Sequence, residues 1–322
     1  MDINVAIVGP GKIAERGLVP GLAQVSGAKL WSVLSRDEGR ARAFADKFGA
    51  KSPKPVHTDL AALLADPDLH AVILASPDAL HAQQGILAAK AGKHIFSEKP
   101  LCTDRREGEE WLAACERADV RLGVGYHLRW HAGHRALVER VHRRELGPLR
   151  HMRVSWCFNA PDPSNWRARP EVGRWWALAA VGTHALDLVR WTMVPECGEI
   201  TELKSLIARQ VHRGPHDETA LLALRFANGA TAEITTSVLF PAPTRVEIYG
   251  AEKYAICEGT LGPRGEGTIH IDDEPVPFTP VNPYAGELAD FVGAIREKRE
   301  PEVGGREGLR NVELLLEAMP RG

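Results

Sequence analysis

The chain has 322 residues, 44% hydrophobic and 25% charged, enough to bury a sizeable core and to suggest two domains. Forty basic against 42 acidic residues leave a formal net charge of −2, which argues against a general nucleic-acid or anionic-membrane surface. No apolar run approaches the roughly 18–20 residues of a membrane span, the N-terminus shows no basic leader followed by an apolar stretch, and the five scattered cysteines form no CxxC pair, so a reduced, cytoplasmic protein is expected.

In residues 1–125 short apolar runs alternate with helical stretches. NVAIVG (4–9) predicts a buried strand and 12–25 a helix. KLWSVLS (29–35) predicts a strand, and 37–49 a helix with apolar residues three and four apart. AVILAS (71–76) and HIFSEKP (94–100) predict strands around a helix at 81–92. A helix at 104–119 and a strand at 120–126 complete the series. The strands are apolar without alternation, as strands buried on both faces should be. Helices of this length between them imply right-handed crossovers and a doubly wound parallel sheet.

After about residue 148 the pattern changes. LRHMRVSWCF, ITELKSLIARQVH, TALLALRFANGATAEITTSV, TRVEIYGAEKYAICEG and GTIHIDDEPVPF predict strands in antiparallel order, with Asn228-Gly229 as a two-residue hairpin turn. One helix is expected at 178–192 and two more at 284–298 and 305–318. The fold class is therefore α/β: an N-terminal Rossmann-type domain (1–125) plus a C-terminal α+β domain (126–322) with a large, mostly antiparallel, open sheet. The closing helices are free to pack back on the first domain. An open antiparallel sheet needs one face covered, so a homodimer or homotetramer through this sheet is expected.

The first strand runs into Gly9-Pro10-Gly11-Lys12-Ile13-Ala14, a GxGxxA placed after a strand and opening a helix. The first glycine makes the tight turn and the second lets the backbone approach a pyrophosphate. The small Ala14 lets the helix pack close, with its N-terminus facing the anion. The second strand ends in Ser35-Arg36-Asp37. An acid normally reads the ribose at Ser35's place; a hydroxyl followed by a guanidinium suits a 2′-phosphate, so NADP is favoured over NAD. Asp37 opposes this unless it caps the next helix.

GPGKIA, then ASPDALHAQQGILAAKAGKHIFSEKPLCTD, then VGTHALDLVRW and a β-rich second half resemble the Gfo/Idh/MocA family of glucose–fructose oxidoreductase and inositol dehydrogenase. YAGELADFVGAIREKREPEV is similar to the last helices of that family. The resemblance covers nearly the whole chain. It implies hydride transfer between a nicotinamide and a secondary alcohol or carbonyl of a sugar, polyol or related cyclic compound.

By the same resemblance Lys99, in Glu98-Lys99-Pro100, is catalytic. It would hold the substrate oxygen and handle its proton, and burial beside a cationic nicotinamide would ease proton release. His184 would be the second catalytic group and a substrate contact. Asp187 follows at i+3, to bind substrate, orient the histidine or cap a local turn. Glu98, Ser76, Pro77 and His81 would contact the cofactor, as would Gly9, Gly11, Lys12 and Ile13. Arg129, Trp166 and Arg167 match later cofactor positions, and His127 and Trp176 fall among substrate contacts.

The chain departs from the family at two places. A glycine pair has become Trp175-Trp176, and the family's aspartate is Ala180. Both put the usual inositol- or glucose-type hydroxyl pattern in doubt. They also motivate a non-catalytic, dinucleotide-binding regulator, for which the family has a precedent in a galactose-pathway repressor. The tryptophans at 156, 166, 175 and 176 are candidates for an aromatic platform. His127, His131 and His134 fall at i, i+4 and i+7, but with no HExxH and no cysteine partner no metal is expected.

Overall fold

The computed structural model describes residues 2–160, 166–169, 171 and 173–319. The chain divides into two compact units, 1–126 with 284–312, and 127–283 with 313–322.

The first unit is built on six parallel strands: β1 (Ile3–Val8), β2 (Ala28–Leu34), β3 (Val56–His57), β4 (Ala71–Leu74), β5 (His94–Ser97) and β6 (Leu122–Val124). Their spatial order is β3-β2-β1-β4-β5-β6, so the winding reverses between β1 and β4. Every residue of β1 and β4 is buried, which is why these strands show no alternation. The crossover segments include α1 (Val19–Leu22), α2 (Glu38–Phe48), α3 (Leu60–Leu64), α4 (His81–Lys90) and α5 (Arg105–Ala118).

Two expectations change here, and two short elements were not expected. The helix expected over 12–25 is a π turn, Ala14–Leu18, running into α1, with the Val19 N–H donating to Ala14 O. Pro20 has no N–H to return to the preceding turn, so a regular i→i−4 ladder cannot run through it. The strand expected over 94–100 ends at Ser97, which leaves Glu98 and Lys99 in the following loop. β3 and α3 are too short to show a period, and Pro53 and Pro55 mask the first of them. α2 forms as its sequence dictates. Asp37 Oδ1 accepts from Arg40 N at 3.0 Å, Ala41, Phe44 and Ala45 face the core, and Gly49 closes the helix at φ 65°.

The second unit carries an eight-stranded sheet: β7 (Leu149–Cys157), β8 (Ile200–Ala208), β9 (Thr219–Phe226), β10 (Thr231–Ser237), β11 (Arg245–Gly250), β12 (Tyr254–Glu258), β13 (Thr268–Ile271) and β14 (Glu274–Pro275). The order is β14-β13-β12-β11-β7-β10-β9-β8. All neighbours are antiparallel except β7 and β10, so the sheet is mixed. Alternate residues of β9 are buried and exposed, the mark of a sheet with one covered face. Helices α6 (Ala132–His142) and α7 (Thr183–Cys197) belong to this unit; α6 was not expected from the sequence. The Asn228-Gly229 hairpin is a three-residue loop rather than two. Phe226 N donates to Ala230 O at 2.8 Å, and Gly229 sits at φ 90°.

Helix α8 (Pro283–Glu297) returns to the first unit, where Tyr284, Leu288, Phe291 and Val292 join the apolar cluster around β1. The last helix, α9, spans Gly305–Ala318.

Candidate active site

In the first unit the chemistry-bearing residues gather at the carboxyl ends of the strands. The Gly9 turn follows β1, Ser35 follows β2, Ser76 follows β4, and Glu98 and Lys99 follow β5. This is the edge where open parallel sheets bind ligands, at the reversal of strand order. Gly9 has φ 89°, and a Cβ there would lie 2.8 Å from Ala75 O and 2.9 Å from Ser76 N. Only glycine lets the β1 and β4 loops approach so closely. At Gly11 a Cβ would meet nothing within 4 Å, so its outer side is an open cradle at the start of the helical segment. Lys12 is exposed and Ile13 half-buried beside it. A turn open at the second glycine and followed by a helix fits a dinucleotide pyrophosphate.

At the ribose end, Ser35 is buried and its Oγ accepts from Asp37 N at 3.2 Å. Asp37 is occupied as the cap of α2, while Arg36 is exposed and makes no ion pair among the described residues. The acid that opposed a 2′-phosphate is thus tied to helix capping.

Lys99 and Glu98 are each only 7% exposed. The Lys99 amide reaches Glu98 Oε2 at 3.3 Å, and the Lys99–Pro100 bond is cis. Ser76 Oγ donates to Gln84 Oε1 at 2.6 Å, and Pro77 precedes a short turn, Asp78–Leu80. His81, expected at the cofactor, lies between two turns. Its ring is fully buried, with Nδ1 at 2.9 Å from Pro100 O and Nε2 at 2.9 Å from Ser76 O. Both nitrogens therefore bind backbone, and His81 ties the β4 turn to the turn that carries Lys99.

In the second unit His184 sits near the start of α7, 4% exposed. The His127 ring meets it edge-on at 4.6 Å, and the half-buried Trp156 stacks on it at 5.8 Å. Trp156, one of the four candidate tryptophans, is thus placed against the candidate catalytic histidine. Trp176, expected to touch substrate, is 1% exposed and packed with Ala160, Ala177 and Val238. Trp175 is wholly buried. Arg167 is half-buried in a single turn, Trp166–Ala168, while the Trp166 side chain and Asn165 lie outside the described residues.

Arg129 and Asp187 meet each other. Arg129 Nε and Nη2 donate to the two oxygens of Asp187 at 2.8 and 2.7 Å, a bidentate buried pair. Arg129, expected at the cofactor, is engaged inside the second unit. Asp187, expected to serve substrate, orient His184 or cap a local turn, holds that arginine on α7. Ala180, at the family's aspartate position, lies four residues before His184 in the π turn Leu178–Gly182.

Sequence reasoning missed Asp217. Its carboxylate accepts from Trp176 N at 2.8 Å and Leu178 N at 2.7 Å, and its carbonyl accepts from Ala177 N at 3.1 Å. It caps the segment that delivers His184 from about forty residues downstream, out of reach of any local capping pattern. Burial pushes its carboxyl up to about 7 against the pull of these amides. Asp217→Ala would orphan two buried donors and is expected to cost roughly 1–3 kcal/mol, read by urea unfolding.

His131 and His134 serve structure. They stack at 4.4 Å, His131 Nδ1 caps α6, and His134 Nε2 meets Thr260 Oγ1 at 2.9 Å. Among the described residues no cluster of three or more His, Cys, Asp or Glu is arranged to hold a metal ion. The five cysteines are buried and unbridged, and among the described residues no helix is long and apolar enough to cross a membrane.

Two family profiles cover this architecture. One, described as an oxidoreductase family with an NAD-binding Rossmann fold, matches residues 3–126. The other, a GFO/IDH/MocA C-terminal domain, matches residues 134–256. The chain belongs to the Gfo/Idh/MocA oxidoreductase family. Within that family it is 28% identical over 310 residues to a 1,5-anhydro-D-fructose reductase of Ensifer adhaerens, covering 94% of this chain and 91% of the relative. The fold is shared with the WlbA dehydrogenase of Bordetella pertussis, solved with NADH and UDP-GlcNAcA, at TM-score 0.85 and 24% identity over 98% of this chain and 94% of that one. It is also shared with a 3-ketoreductase of Actinomadura kijaniata, solved with NADP and TDP-benzene, at TM-score 0.85 and 23% identity over 97% and 95%. As a Gfo/Idh/MocA member the chain is an NAD(P)-dependent oxidoreductase.

Proposed function

We propose that this chain interconverts a secondary alcohol and its carbonyl on a sugar-like, polyol or related cyclic compound, with NADP(H) preferred. The observation that carries the reading is the buried Lys99 at the carboxyl end of β5, on the sheet edge that holds the Gly9–Gly11 cradle. Bound in that cradle, a nicotinamide dinucleotide supplies or accepts the hydride. The residues supply the proton and the positioning. In oxidation Lys99 holds the carbinol oxygen and takes its proton as the C–H bond breaks; in reduction it returns that proton to the new alkoxide. His184, fixed between His127 and Trp156, is a second hydrogen-bonding group for the substrate hydroxyls. The Trp156 ring offers an apolar face to a sugar ring.

NADP preference rests on Ser35 and Arg36 with Asp37 withdrawn into its cap. Calorimetry with both dinucleotides tests it. Arg36→Ala is expected to weaken NADP roughly tenfold or more, the worth of one charge-assisted hydrogen bond, and to leave NAD nearly unchanged. Equal losses for both would refute the assignment.

Ala180 favours a second reading, a dinucleotide-binding regulator, because it removes a carboxylate one turn before His184. Tight dinucleotide binding with no hydride exchange across sugar, polyol and ketone panels would select it.

We also propose a homo-oligomer through the outward face of the eight-stranded sheet. That face exposes Leu206, Leu221, Tyr249 and Tyr254 beside a ladder in which Arg153 meets Glu233 and Glu247, and Arg245 meets Glu247 and Glu258. Mixed charges of both signs beside apolar side chains suit pairing with a second copy of the same face.

A further inference from the structure

Helix α8 lays Tyr284, Leu288, Phe291 and Val292 into the apolar cluster of the first unit. Glu287 lies one turn along from Tyr284, beside Leu288, and is 2% exposed. Both its carboxyl oxygens are buried without a hydrogen-bond partner among the described residues. An ionised carboxylate in that setting would be costly, so the group keeps its proton. Burial raises its affinity for the proton well above the usual carboxylate range, and the Glu98 carboxylate raises it further.

Glu98, from the loop after β5, and Tyr284, of α8 itself, bear on Glu287. The Tyr284 hydroxyl is pushed up by burial, by Glu98 and by Glu287, so it stays neutral. The first helical segment presents Gly17 to the Tyr284 ring, and Phe96 of β5 packs edge-on against Phe291 at 5.5 Å. Glu98 in turn accepts from the Lys99 amide.

We propose that Glu287 and Glu98 form a buried carboxyl pair holding one proton, with Glu287 the protonated member and a positioning residue for Glu98 and the Lys99 turn. Two neighbouring carboxyls in a dry site cannot both ionise, so the proton on one allows the other to remain an anion. The anion then stays beside the backbone of Lys99. The consequence for catalysis rests on the role proposed for Lys99; the shared proton itself does not.

The test therefore needs no substrate. Infrared difference spectra of wild type against Glu287→Gln at neutral pH should show a protonated-carboxyl band lost in the variant; Glu287→Met serves the same comparison if the amide does not fold. Melting temperatures are then followed from pH 5 to 9. A folded-state affinity raised above the unfolded value gives stability that is present at low pH and lost as pH rises. Wild type should therefore lose ground to Glu287→Gln across that range. In a Glu98→Gln background the loss should stop at lower pH, because the neighbouring charge is gone. No protonated-carboxyl band, or parallel melting curves for wild type and Glu287→Gln, would overturn the proton. A band with the same pH window in both backgrounds would overturn the pair. A protein that shows the band and the shifting window but turns over no substrate fails the proposed reaction and keeps this inference.

Discussion

Lys99→Met is expected to lower kcat by about 10²–10⁴-fold, the usual worth of a positioned acid–base group, while NADP(H) affinity stays within a few fold. Methionine keeps the length and apolar body of the lysine but cannot carry a proton. The cradle at Gly9–Gly11 and the Ser35-Arg36 pair are separate loops of the same sheet edge, so they should survive the change. Stopped-flow hydride transfer with calorimetry on the same preparation separates the two effects. A variant that loses dinucleotide binding and turnover together would show that Lys99 supports the cofactor loop rather than the reaction. Full retained turnover would remove it from the chemistry.

Arg129→Met is expected to destabilise the second unit by about 3–5 kcal/mol, because it takes the bidentate partner from the buried Asp187 carboxyl. The side chains are 6% and 1% exposed, so water offers the carboxylate little relief. The double variant Arg129→Met/Asp187→Leu should recover most of that loss, since it removes both charges from the interior. Urea denaturation of the single and double variants measures this. If the single change costs less than about 1 kcal/mol, the pair is not a structural anchor and Arg129 is free for another role.

The parallel sheet was legible because its strands are buried on both faces, which forces contiguous apolar runs such as NVAIVG and AVILA. The cofactor turn was legible for a related reason. Gly9 answers a steric demand that only glycine meets, so the demand leaves a fixed letter in the chain. Asp37 as a helix cap was likewise local, three residues from its donor. Lys99 and His184 were recognised through family resemblance rather than from spacing.

The rest depended on contacts between distant residues. Arg129 meets Asp187 across 58 positions, and Asp217 caps a segment 39–41 positions upstream. Trp156 and Trp176 look equivalent in sequence, yet one stacks on His184 and the other fills the core. His81 holds a family position, but its two ring nitrogens bind backbone at both ends of a brace. By itself the sequence determined most of the elements, the doubly wound sheet and the dinucleotide turn, because these follow from periodicity and from sterics within a few residues. Only the tertiary structure decided which charges are paired, which tryptophan stacks on His184 and that Glu287 is buried in the apolar cluster. Burial and partnership are properties of folded neighbours, and no local pattern encodes them.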